Sequence, residues 1–119
     1  MKLKVRKLCD VTIIDTCGNI LMLDDEQFRT VLLNVLKEGC VNLIVNFAVT
    51  EYLCSTSLGT LAMVIKRVRE RGGDLKLANL NSKVLRFFEI TRLVNMIDVY
   101  DSVEAAMKSF TAEAKDEEE

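Results

Sequence analysis

The sequence predicts an α/β domain, a mixed and mostly parallel sheet of about five strands with four helices and a β-hairpin at its N-terminal edge. Short runs rich in β-branched and apolar residues, such as Val41 to Phe47, alternate with longer segments whose apolar residues recur at helical spacing. The helical segments begin at capping residues and end at glycines, as Asp24 and Gly39 bound the first of them. Strands separated by helices require crossover connections, which are right-handed and leave the strands parallel in one sheet.

Taken in order, Leu3 to Leu8 and Val11 to Thr16 alternate in polarity and read as two short strands joined by a tight turn. Asp24 with Gln27 forms a capping-box pattern, followed by Phe28, Val31, Leu32 and Val35 on one helical face. Val41 to Phe47 is too short for a helix between its flanks and reads as a buried central strand. Leu58, Leu61, Ala62, Ile65 and Val68 mark a second helix, which Gly72 and Gly73 end. Leu75 to Ala78 is a further strand, Asn81 or Ser82 caps a helix through Thr91, and Met96 to Tyr100 is the last strand. Asp101 and Glu104 form a second capping-box pattern before Val103, Ala106, Met107 and Phe110. A single domain is expected over residues 1–112, with an acidic, frayed tail at 113–119.

Composition narrows the function. Sixteen Lys and Arg against 18 Asp and Glu leave no excess of positive charge for a phosphate backbone, so nucleic acid is not the expected partner. No apolar run approaches the roughly 20 residues of a membrane span, and Met1 to Cys9 lacks the apolar core of a signal peptide. The expectation is a cytoplasmic protein without membrane insertion. Cys9, Cys17, Cys40 and Cys54 are scattered, with no CxxC and no histidine, so neither a metal nor another cofactor is expected. The missing histidine also removes the usual general base of Ser and Cys nucleophiles, and the chain is not expected to be an enzyme.

In an open α/β sheet the loops beyond the carboxyl ends of the strands carry function, and Thr50 to Ser57 follows the central strand directly. Ser55, Thr56 and Ser57 place three hydroxyls where the second helix begins, and its free N–H groups and dipole favour an anion. The simpler reading is that Ser55 or Thr56 caps the helix. Met63, Lys66 and Arg67 flank the loop as contact candidates, against the ordinary reading of a solvated face. Of Phe87 and Phe88, adjacent on a helix, only one can enter a given pocket.

The run Tyr52-Leu53-Cys54-Ser55-Thr56-Ser57-Leu58-Gly59 resembles the aromatic-apolar-Asp-Ser-Ser/Thr-Gly-Leu-Gly signature of STAS-domain anti-sigma-factor antagonists. Arg71 to Leu80 is similar to that family's glycine pair and following strand. Val84, Phe87 or Phe88, Ile90, Thr91 and Leu93 resemble its third helix, and Val99 to Ala106 its last strand and helix. The resemblance implies a STAS-like fold and a partner-switching protein that binds an anti-sigma factor with serine-kinase activity and is released by phosphorylation, with a phosphatase as a further partner. It places the phosphorylated hydroxyl on Ser55, with Thr56 and Ser57 as alternatives, and partner contacts on Tyr52, Cys54, Ser55, Thr56, Ser57 and Gly59. Cys54 stands where the family has Asp and Ser57 where it has Gly, which removes a charge and adds a Cβ. Two other readings remain: a STAS regulatory or scaffold subunit of a lipid- or anion-transport or stress-signalling complex, and a thiol redox sensor at Cys54.

Overall fold

The computed structural model describes residues 2–118, with side chains described through Thr111. Strands β1 (Leu3–Leu8) and β2 (Val11–Thr16) form the expected antiparallel hairpin, with Leu8 opposite Val11 and Cys9 taking the left-handed turn position at φ 56°. Arg6 grips Asp15 across this pair with two hydrogen bonds of 2.6 and 3.0 Å. Helix α1 (Asp25–Lys37) leads to β3 (Asn42–Asn46), α2 (Ser55–Glu70) to β4 (Asp74–Ala78), α3 (Ser82–Ile90) to β5 (Asp98–Tyr100), and α4 (Val103–Glu118) ends the described chain. The sheet order is β1-β2-β3-β4-β5, and every pair after the hairpin is parallel.

Consecutive right-handed crossovers that each advance one strand lay their helices on a single face. Thus α1, α2 and α3 pack Phe28, Leu32, Leu61, Ile65, Val84 and Phe88 against Ile14, Leu43, Val45, Leu75 and Leu77. The opposite face carries Ile13, Ile44 and Lys76 in one row, and α4 covers it with Ala106 and Phe110. Lys76 is fully buried there, donating to Ser109 Oγ at 2.7 Å with its ammonium 4.2 Å from the centre of the Phe110 ring. A hydroxyl partner and an aromatic face each help to make a cation tolerable in a core.

Two capping assignments differ from the sequence reading. Asp24 does not box with Gln27; its carboxylate accepts from Leu21 N–H at 2.9 Å and closes a 3-10 turn, Met22–Asp24, that precedes α1. Ser102, not Asp101, caps α4 by accepting from Ala105 N–H at 3.0 Å. The last strand is also shorter than expected, because a 3-10 turn at Leu93–Asn95 draws Met96 N–H back to the Leu93 carbonyl. Asn81 caps α3 as read, accepting from Val84 N–H at 2.9 Å. The boundary expected between a domain at 1–112 and a frayed tail at 113–119 falls on the α4 backbone, and the side chains there lie outside the described residues.

Glycine is required where α2 meets β4. Gly72 turns the chain at φ 87°, and a Cβ on Gly73 would overlap the Val41 carbonyl, against which Asp74 N–H forms a 3.0 Å bond. Gly59, inside α2, has open space at its Cβ position. Urea denaturation should therefore show Gly73→Ala losing about 2 kcal/mol or more, while Gly59→Ala gains about 0.5–1 kcal/mol through helix propensity.

Candidate functional site

The loop between β3 and α2 lies at the carboxyl end of the central strand and is tied at several points to the segment between β2 and α1. Thr50 is buried, donates its hydroxyl to the Gly18 carbonyl at 2.6 Å, and lies 2.6 Å from the Thr16 hydroxyl. Asn19 Oδ1 accepts from the N–H groups of Glu51 and Tyr52, at 2.8 and 3.1 Å. Ile20 and Leu53 then form a one-residue parallel bridge, in which Ile20 N–H reaches the Tyr52 carbonyl and Cys54 N–H reaches the Ile20 carbonyl, each at 2.9 Å. Asn81 adds a third wall, donating its amide to the Thr50 carbonyl at 3.0 Å while it caps α3.

Beneath the loop, Asn46 links the strand ends. Its Nδ2 donates to Asp15 at 2.8 Å, and its Oδ1 accepts from Ala48 N–H and from Asn79 Nδ2. Partial burial opposes the charge on Asp15, but the hydrogen bonds from Arg6 and Asn46 and the nearby positive charges of Arg6 and Lys4 prevail and hold its pKa below the usual carboxylate value.

This scaffold delivers the chain to α2 with Cys54 at the N-cap, extended at φ −73° and ψ 158°. Neither Ser55 nor Thr56 caps the helix, as the simpler reading expected; they form its first turn, and the cap residue is the cysteine. Ser55 is exposed, and its hydroxyl has no hydrogen-bond partner among the described residues. Thr56 is exposed as well, 3.3 Å from Cys54 Sγ and directed at Met22 Sδ.

Cys54 and Ser57 are not where a partner or a kinase can touch them. Cys54 is 1% exposed and Ser57 fully buried, which removes Ser57 as an alternative phosphoacceptor and both residues as direct contacts. Both side chains turn inward to a short chain of polar atoms: Ser57 donates to Asp25 Oδ1 of α1 at 3.0 Å and lies 3.1 Å from Cys54 Sγ. Burial works against a Cys54 thiolate, but the hydroxyls of Ser57 and Thr56 and the Ser57 N–H together outweigh it, and the pKa falls below the ordinary thiol value. A low pKa without access does not make a sensor, because an oxidant must reach the sulfur.

The remaining candidates divide by distance from Ser55. On α2, Gly59 is exposed one turn along, and Met63 is half-buried beside a small cleft shared with Asp25, Arg29, Thr56 and Thr60. Lys66 and Arg67 are exposed but about 16 Å or more farther along the axis, at 1.5 Å per residue, and are not brought to the loop. Tyr52 is exposed on the other side and meets Phe87 of α3 edge-on, with ring centres 5.9 Å apart, while Phe88 is the buried one of the adjacent pair.

Sequence reasoning missed the residues that hold the loop, Thr16, Asn19, Thr50 and Asn81, and the acid Asp25, because each bond joins positions more than 30 apart. It also passed over Leu21, Met22 and Leu23, an apolar run outside every predicted element. All three are exposed beside the site, Met22 at 62%. That run was the available signal, since apolar residues with no helical or strand period have no core face to fill.

Residues 2–106 match the STAS domain family. Among curated relatives, an anti-sigma-B factor antagonist of Bacillus subtilis (strain 168) is 31% identical over 86 residues, covering 72% of this chain and 78% of the relative. The fold superposes on an anti-sigma factor antagonist from Mycobacterium paratuberculosis with a TM-score of 0.83, at 18% identity and over 91% and 92% of the two chains. It also superposes on the Bacillus cell fate determinant SpoIIAA in its phosphorylated form, with a TM-score of 0.73, 16% identity and coverage of 92% and 99%.

Two outcomes test this geometry. Thr50→Val strands the Gly18 carbonyl and leaves the Thr16 hydroxyl only the Asn46 carbonyl, so it should cost about 1–3 kcal/mol and accelerate amide exchange at Ile20 and Cys54 ahead of the β3 core. Iodoacetamide followed by mass mapping should label exposed Cys9 rapidly in the native protein and leave Cys54 protected until denaturant is added.

Proposed function

The chain belongs to the STAS domain family, and from that membership we propose that it is an anti-sigma-factor antagonist, a non-catalytic protein that binds an anti-sigma factor and is switched by phosphorylation of Ser55. The observation that carries this reading is the exposed, unengaged Ser55 hydroxyl in the first turn of α2, in the middle of a rigid and partly apolar surface.

The surface around it has the composition of a docking face. Leu21, Met22, Val49 and Tyr52 are all exposed large side chains on the two loops clamped together at the carboxyl end of the sheet. Apolar residues gathered on one face, outside any core, mark interaction sites more often than chance exposure does. The sheet order runs without reversal, so the strands leave no crevice between them for a small substrate. Such a surface fits a protein.

The switch follows from charge and solvation. A phosphate on Ser55 brings a charge of about −1.5 to −2 and three acceptor oxygens. Within the free domain it meets the N–H groups and the positive end of the α2 dipole, which stabilise it, and the fold is kept. Against a docked partner the same group must lose water beside Met22 and Leu21, at a cost of several kcal/mol unless the partner supplies cations. The partner supplies the kinase activity and a separate phosphatase resets the serine; no residue of this chain acts on phosphate. Among the described residues no helix is long and apolar enough to cross a membrane, which agrees with a diffusing regulator.

The test is incubation with candidate anti-sigma factors and ATP, mass spectrometry of the peptide spanning Ser55 to Ser57, and calorimetric titration of variants. The phosphate is expected on Ser55. Ser55→Asp should weaken binding at least tenfold, about 1.4 kcal/mol, with Tm moved by no more than a few degrees, and Ser55→Ala should bind without being modified. A Ser55→Asp protein that binds like the parent removes the reading.

A further inference from the structure

A groove of about 460 Å³ opens beside the Ser55 loop, between Asn19, Glu51 and Tyr52 on one side and Lys83, Arg86, Phe87 and Ile90 of α3 on the other. The four α3 residues stand at i, i+3, i+4 and i+7 and therefore form one helical stripe, opposite the buried Val84 and Phe88. A solvated outer face of so short a helix should be polar. This one carries Ile90 at 70% exposure and Phe87 stacked edge-on against Tyr52, with two cations at its N-terminal end.

The groove is rigid before anything enters it. Asn19 fixes the Glu51 and Tyr52 amides, and Asn81 joins the loop to the first turn of α3, so both walls are held by the same hydrogen-bond set. Walls fixed in advance avoid the ordering cost that weakens docking onto mobile loops. The charges set what fits. Among the residues lining the groove, Lys83 and Arg86 stand against the single acid Glu51, and the N-terminal end of α3 adds its positive dipole on the Lys83 side. A second copy of this chain would bring the same cations to the same place, so self-association through this face is opposed.

We propose that the groove is a docking site for an amphipathic helix of the anti-sigma factor, one that sets an apolar side chain between Tyr52, Phe87 and Ile90 and carboxylates against Lys83 and Arg86. This rests on the functional reading above and extends it, because it couples the groove to the switch. Ser55 follows Tyr52 by three residues, so their Cα atoms are at most about 11 Å apart, against a Debye length of about 8 Å in physiological salt, a range over which screening weakens repulsion without abolishing it. A phosphate on Ser55 repels the carboxylates of the groove's occupant and destabilises both halves of the footprint together.

The groove is tested first without any anti-sigma factor. Isotope-labelled protein is titrated with a short helical peptide bearing Leu at i and i+4 flanked by Glu, and with its counterpart bearing Lys in place of Glu. The Glu peptide should shift Ile90 methyl, Phe87 and Tyr52 ring signals, and the Lys peptide should not; the double variant Lys83→Glu/Arg86→Glu should reverse that preference. Equal response to both peptides, as for nonspecific greasy contact, or response confined elsewhere, overturns the proposal. In the second arm Ile90→Ser and Lys83→Glu/Arg86→Glu, both on exposed positions, should each weaken the anti-sigma factor complex at least tenfold at unchanged Tm, and the charge reversal should flatten the salt dependence. Should the parent bind and Ser55→Asp weaken it while these variants bind like the parent, the groove proposal falls and the functional reading stands. Should the parent bind no anti-sigma factor while the Glu peptide still docks, the functional reading falls, and with it the identity of the occupant proposed here.

Discussion

The whole presentation of Ser55 depends on one buried hydroxyl, that of Thr50. It donates to the Gly18 carbonyl, lies against the Thr16 hydroxyl, and fixes the loop leaving β3 to the loop leaving β2. Without that bond the Ile20 to Leu53 bridge and the Asn19 bonds to Glu51 and Tyr52 would have to hold two irregular segments with no tie at their roots, and the orientation of Cys54 at the α2 N-cap would be less constrained. A hydroxyl suits the place because the segment's backbone carbonyls point inward with no regular ladder to receive them, and a buried carbonyl left unpaired costs more than a typical hydrogen bond contributes.

Topology explains why this clamp sits where it does. A sheet in strict sequential order puts α1, α2 and α3 on one face, and the loops at the carboxyl ends of β2, β3 and β4 each connect a strand to a helix on that same side. The loops after β2, β3 and β4 are therefore neighbours, and short polar residues at their roots, Thr16, Asn46, Thr50 and Asn79, can bond laterally. The result is a continuous rim in place of a cleft. A rim presents side chains outward in a fixed pattern, which is the geometry of recognition by another folded surface.

Most of the architecture was legible in the sequence because its elements announce themselves locally. The hairpin alternates, the central strand is a run of Leu, Ile and Val, and the glycines after α2 have a steric reason to be there. The errors share a cause. Asp24 and Asp101 sit in valid capping patterns, yet the Asp24 carboxylate turns back to Leu21 N–H in the 3-10 turn at Met22–Asp24, and α4 begins one residue later with the Ser102 hydroxyl accepting from Ala105 N–H. Pattern tells which residues are able to cap, not which competitor is nearer. Burial at the site was also illegible. Nothing in Ser55-Thr56-Ser57 marks the third hydroxyl as the buried one, because the residue that buries it, Asp25, arrives from another helix.

That bond also accounts for the two departures from the family's signature. Ser57 stands where a glycine was expected, but it lies in the first turn of α2 with an ordinary helical conformation, so its Cβ meets no backbone demand for positive φ. Cys54 stands where an acid was expected, and the carboxylate nearest this turn is instead Asp25, reached through Ser57. Serine, cysteine and aspartate are thus joined, with Cys54 and Ser57 buried and Asp25 half-buried at the edge: a glycine at 57 would remove the hydroxyl donor to Asp25, and a carboxylate at position 54 would bring a second negative charge toward Asp25. Cys54 and Ser57 do not reach the surface at Ser55. The helix start is rebuilt from beneath while the Ser55 hydroxyl above it stays exposed.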